Sequence, residues 1–165
     1  LLASLGLMAR QRQDAARAKT YLEAVAATSA TVPRPRAYLE LSRLRAEQFT
    51  AAAAGRPLTS AQTAAILEPL LQAQRLPQQL SAIYYDLAGA WDRSSVAPTR
   101  DQIALLESGL RLFPYDGRLL VRVAALMIKH GYRNDIAPTL QRALDSSRDA
   151  ELKDKVGRLL QSTTG

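Results

Sequence analysis

Cysteine is absent from this 165-residue chain and histidine occurs once. The first absence excludes disulfides, thiolate metal sites and cysteine nucleophiles, and it leaves the compartment open. The second excludes any site built on two imidazoles. Neither an HExxH pattern nor a glycine-rich phosphate loop is present. Aromatic residues make up only 5% of the chain, and β-branched runs are missing, so a large sheet has little support. No apolar stretch approaches the roughly 20 residues that span a bilayer. The apolar opening, Leu1 to Met8, has no charged segment before it and no cleavage pattern after it, and reads as a buried helix face instead of a signal peptide. The initiator methionine is also missing, so the chain is expected to begin inside a longer protein or to have been processed.

What is present favours helices. Hydrophobic residues are 47% and charged residues 22%, a globular balance, and alanine, leucine and arginine dominate. That bias is compatible with a high-GC bacterial source. The formal net charge is +7, with 18 arginines against 4 lysines. The excess is uneven: residues 81–116 carry three bases against five acids. Elsewhere the bases are dispersed at helical spacing with no dense run, as on a solvated surface.

Four segments align: Leu2-x2-Leu5-Gly6-x2-Ala9, Tyr38-x2-Leu41-Ser42-x2-Arg45, Tyr84-x2-Leu87-Ala88-x2-Trp91 and Leu120-x2-Val123-Ala124-x2-Met127. Spacings of three, four and seven put these residues on one helix face, the small one marking close approach of a neighbouring helix. Arg45 departs from the pattern. A second apolar row follows each segment: Ala18-x3-Leu22-x2-Val25, Ile66-x3-Leu70-x2-Ala73, Leu106-x2-Gly109 and Leu140-x2-Ala143. Ala73 to Tyr84 and Gly109 to Leu120 are both eleven residues, an offset unrelated helices would rarely share. The chain therefore resembles the tetratricopeptide repeat family, whose signature is W-x2-L-G-x2-Y, then A-x3-F-x2-A, then P. Pro114 fits the closing proline, and Gly6, Ala18, Trp91 and Ala143 fit other places.

The resemblance implies an all-α, right-handed α-α superhelix, a solenoid of antiparallel helix pairs. It implies a single domain over 1–165, with units at about 1–33, 34–79, 80–115 and 116–147 and a capping helix over 149–162. The intervals from Leu5 to Leu41 and from Leu87 to Val123 are 36 residues, but Leu41 to Leu87 is 46. The extra length falls around Ala51 to Pro57, where Gly55 and Pro57 mark a break. Thr59-x2-Gln62 and Thr99-x2-Gln102 read as capping boxes, and Asp14 and Asp116 as N-caps. Pro69 inside the helix expected over 60–75 predicts a kink or a later start. Pro138 is placed near a helix start, Trp91 and Tyr84 between helices, and Phe49, Phe113 and Tyr115 as anchors of turns.

In the family, the first helix of every unit lines a concave groove that binds a protein or peptide. Carried over by position, the groove residues are Leu7, Arg10 and Gln11; Arg36, Leu39, Glu40 and Arg43; Tyr85, Asp86 and Arg93; and Arg118, Val121, Arg122 and Lys129. The mixture suits a partner bearing acidic groups held by arginine. Relatives that grip a C-terminal carboxylate carry a lysine and two asparagines where this chain has Leu39, Arg43 and Asp86, so the resemblance implies a different ligand geometry. No enzyme activity, metal or cofactor is expected. His130 reads as a helix C-terminal cation, and the acid pairs Glu40/Glu47 and Asp86/Asp92 as surface charges. The partner is expected to be a protein or peptide, with an acidic one allowed, or another part of the same longer chain. The alternative is an accessory C-terminal domain of an enzyme whose catalytic part precedes Leu1. Nucleic acid and membrane are not expected, while homodimerisation through the N-terminal end is allowed.

Overall fold

In the computed structural model, residues 1–28 and 34–162 are described. Among them the regular structure is all helical: α1 (Leu2–Gln11), α2 (Ala15–Thr28), α3 (Pro35–Ala53), α4 (Ser60–Gln74), α5 (Ser81–Asp92), α6 (Arg100–Leu112), α7 (Gly117–Lys129), α8 (Arg133–Ser146) and α9 (Ala150–Gln161). The helices fall into two compact units, Leu1–Val96 and Ala97–Gly165.

Local chemistry sets the helix ends. Both expected capping boxes form: the Thr59 and Thr99 hydroxyls accept from the backbone N–H of Gln62 and Gln102, whose side chains accept from the threonine N–H groups. The Asp14 carboxylate accepts from Arg17 N at 3.1 Å, that of Asp116 from Leu119 N at 3.0 Å, and that of Asp149 from the start of α9. Pro35 opens α3, where its missing N–H costs nothing. Helix α3 stops at Ala53 because Ala54 and Gly55 turn to positive φ, +49° and +84°. Its expected break is thus realised as a left-handed turn.

Within Leu1–Val96 each helix packs on the next, and α3 also touches α1 and α5. The small residue of the first segment makes a close approach possible. A Cβ on Gly6 would lie 2.9 Å from Leu22 Cγ and Cδ2, and Leu22 is fully buried in α2. The signature residues Tyr38, Leu41, Tyr84, Leu87, Ile66 and Leu70 are buried. The apolar opening is buried only through Ala3, Gly6 and Ala9. Leu1, Leu2 and Met8 face solvent, contrary to the expectation for that stretch.

The longer second interval does structural work of its own. Leu58, buried in the α3–α4 connection, donates its N–H to Arg93 O and accepts from Ser95 N, each at 2.8 Å. Thr63 Oγ1 donates to Ser94 Oγ at 3.1 Å. The connection is thereby fastened to the end of α5.

Pro69 neither delays nor ends its helix, since α4 runs from Ser60 to Gln74. A proline has no N–H for the carbonyl four residues back, here Ala65. Arg45 Nη1 donates to that Ala65 oxygen at 2.7 Å, and the buried Ser42 hydroxyl donates to the next carbonyl, Ile66, at 2.8 Å. Arg45 also pairs with Glu68 at 2.9 Å. The residue that departs from the segment pattern therefore supplies the donor that the proline removes.

In the second unit α7 packs on α6, α8 and α9, and α8 packs on α9. Leu119, Val123, Ala124, Leu126, Met127, Ile136, Leu140 and Val156 form its core. The tail helix is where the pattern places it, with Val156 inward and Lys153, Asp154, Lys155 and Arg158 exposed. Pro138 lies inside α8 and not at its start.

Candidate interaction surfaces

On α3, residues 40, 43 and 47 recur at intervals of three and seven and so share a face. That face meets Arg10 of α1 on one side and Asp86 of α5 on the other. Arg10 makes a two-pronged pair with Glu47, one prong at 2.6 Å, and reaches Glu40 at 3.5 Å. Arg43 donates to Glu40 at 2.9 Å and to Asp86 at 2.7 Å. Arg93 Nη1 extends the row, donating to Thr50 Oγ1 at 3.1 Å. Hydrogen bonding to Glu47 raises the Arg10 pKa and, reciprocally, lowers that of Glu47. For Arg43, burial is the largest influence and opposes the charge, but the bonds to and charges of Asp86 and Glu40 together outweigh it and the pKa rises.

The core of this row, two arginines against three carboxylates, is close to self-neutral. The acid pair Glu40/Glu47 clamps Arg10, which explains the spacing without any acid–base chemistry. Of the groove residues expected in this unit, Glu40, Arg43 and Asp86 are brought together, with half-buried Tyr85 next to Asp86 on α5. Arg36 is exposed in the first turn of α3. Leu39 is 4% exposed and belongs to the core, because its position also points between helices; it is not a groove residue. In the second unit Arg118, Arg122 and Lys129 share α7, with Arg118 and Lys129 exposed and Arg122 half-buried.

The second unit also holds a feature that the sequence did not indicate. Helices α6 and α8 both pack on α7 but not closely on each other. A cleft of about 590 Å³ lies between them, lined by Glu107, Leu110, Arg111, Phe113, Pro114, Tyr115, Leu120, Asp135, Ile136, Thr139, Arg142, Ala143 and Ser146. Leu110, Leu120 and Ile136 form an apolar floor. Of its acids, Asp135 pairs with Arg100 at 2.5 Å, and Arg100 stands 5.3 Å from the centre of the Tyr132 ring. Asp135 and then Glu107 favour the charged form of Arg100 and raise its pKa. Arg142, which lines the cleft, bonds only within its own helix, to Pro138 O and Thr139 Oγ1. Arg111 forms no ion pair among the described residues. Tyr115 is 99% exposed and Leu112 54%, so Tyr115 does not anchor its turn. The run Leu112-Phe113-Pro114-Tyr115, apolar in a connection, was the available signal.

His130 caps the C-terminus of α7 beside Gly131, whose φ is +85°. No group of histidine, cysteine or carboxylate side chains able to hold a metal occurs among the described residues, and no described helix is long and apolar enough to cross a membrane. No family model matches the chain, and no curated protein matches it.

Proposed function

We propose that this chain is a tetratricopeptide-like repeat module in which each unit binds a segment of another protein through its first helices, with Arg36, Glu40, Arg43, Tyr85 and Asp86 as contacts in the first unit and, separately, Arg118, Arg122 and Lys129 in the second. The observation that supports it is the row Arg10–Glu40–Arg43–Asp86, which runs across three neighbouring helices. Partly exposed ion pairs contribute little to stability, about 0–1 kcal/mol each, so the fold has small need of the row. The same pairs hold long side chains in fixed positions, which lowers the ordering cost of binding. A partner carrying both acidic and basic groups would exchange pairs with this face, and its charge order would set specificity.

The test is a charge swap. Arg43→Glu combined with Asp86→Arg keeps an internal pair but inverts the polarity of the face. Capture of a partner from the source lysate by the parent chain, and its loss by the swapped chain with unchanged far-UV circular dichroism, is the expected result. Equal capture by both chains, or no partner at any salt concentration, would overturn the reading.

A second reading rests on α1. Leu1 and Met8 are seven residues apart, share a face and are exposed, as is Leu2. Such a patch suits a module seated on another domain of a longer chain.

A further inference from the structure

The α6–α8 cleft combines an apolar floor, an aromatic flank and an unequal distribution of charge. Its acids are already served: Asp135 is bound to Arg100, and Glu107 stands close enough to Arg100 to support its charge. Its other two bases are not. Arg111 has no acidic partner among the described residues, and Arg142 touches only a carbonyl and a hydroxyl of its own helix. Arg111 lies in the last turn of α6, where the helix end favours a cation, but that leaves its donors open. The volume, about 590 Å³, lies in the range of roughly 300–1,000 Å³ typical of ligand pockets. Buried Leu110, Leu120 and Ile136 offer a large apolar side chain a dry seat, and fully exposed Tyr115 offers a ring beside the opening.

We infer that this cleft is a second docking site, for a short segment of a partner protein that inserts one large apolar side chain and presents acidic side chains to Arg111 and Arg142. The charge complementarity selects the occupant: the free cations call for carboxylates, and the floor calls for an aliphatic or aromatic anchor. The site is built from residues of the second unit alone and does not depend on the Arg43–Asp86 row being a binding face.

Panning a random twelve-residue peptide display library against the full chain tests the inference. Enriched peptides are expected to carry an apolar residue near two or more acids. The best of them should bind at least about tenfold more weakly to an Arg111→Glu, Arg142→Glu chain, in line with the loss of charge-assisted hydrogen bonds. Both arginines are exposed, so that variant should fold. Ser146→Trp, which blocks the cleft without changing its charge, should weaken the same peptides. Amide shifts on titration should cluster on α6 and α8. Peptides that lose binding only to the Arg43/Asp86 swap would support the first-helix face and overturn the cleft. Failure of any peptide to enrich, or enriched peptides indifferent to both cleft variants, would also overturn it.

Discussion

On the first-helix face of Leu1–Val96, Arg10 and Arg43 each bridge two carboxylates, and Glu40 is shared between them. In the second unit one arginine, Arg100, pairs with Asp135 of the α6–α8 cleft, and Arg111 and Arg142 are left without acidic partners among the described residues. Both units are helical with apolar cores. A self-paired surface recognises a partner by exchanging contacts it already has. An unpaired cation beside an apolar floor binds by making contacts it lacks. The second kind of site gains more from each new bond, because no internal pair has to be broken first.

The interior of the first unit contains a polar arrangement without a described counterpart in the second, and it carries the largest expected effect. Arg45→Met should destabilise the chain by about 1–3 kcal/mol, because the Ala65 carbonyl then has neither its helical donor nor a substitute. The same substitution in a Pro69→Ala background should cost clearly less, since the restored N–H of residue 69 takes over that carbonyl. Denaturation of the four chains of this cycle measures the coupling. Equal costs in both backgrounds would mean that Arg45 acts through Glu68 or through packing alone.

Two glycines allow the units to be compared under one substitution. Gly6→Ala in α1 would place a Cβ 2.9 Å from Leu22, which is fully buried and has nowhere to go. Overpacking of about 1–3 kcal/mol should outweigh the gain of up to about 1 kcal/mol in helix propensity. Gly117→Ala at the start of α7 meets Leu152 at 2.7 Å, but Leu152 of α9 is half-exposed and its branched tip can swing aside. That change should lie within about 0.5 kcal/mol of neutral. Thermal unfolding of both variants checks the pair; a larger loss for Gly117→Ala would show α9 to be held more tightly than its exposure implies.

Elements were more legible in the sequence than surfaces were. The capping boxes at Thr59 and Thr99, the caps at Asp14 and Asp116, and the tail helix rest on contacts within three or four residues, and these follow from local spacing. The buried signature residues follow from periodicity. Pairings such as Arg10 with Glu47, or Arg43 with Asp86, join positions 37 and 43 residues apart, and no local pattern specifies them. Leu39 was misplaced because helix phase was carried over from a repeat pattern, and phase alone does not say which flank of a helix is covered. Arg45 breaks the segment pattern because it serves the Ala65 carbonyl that Pro69 leaves without a donor. The cleft is not legible because it depends on two helices that do not pack closely along their length, and a sequence encodes contacts far more readably than gaps.

The smallest effect separates paired from unpaired arginines directly. The bond from Arg10 lowers the Glu47 pKa in the folded chain. A carboxylate with a depressed folded-state pKa adds stability above its unfolded value, about 4.3 for glutamate, and loses it as pH falls through the folded value. Glu47 has 60% of its side chain exposed, so solvent screening keeps the contribution small. Arg10→Gln should therefore lower the urea midpoint slightly at pH 7, and the difference from the parent should shrink at an acid pH that protonates Glu47 in the folded chain. Arg111→Gln removes a cation with no acid to depress, so its small effect on the midpoint should be the same at both pH values. A pH-dependent difference for Arg111→Gln would reveal a carboxylate partner for that residue in solution, remove the free cation from the cleft, and erase the contrast between the two units.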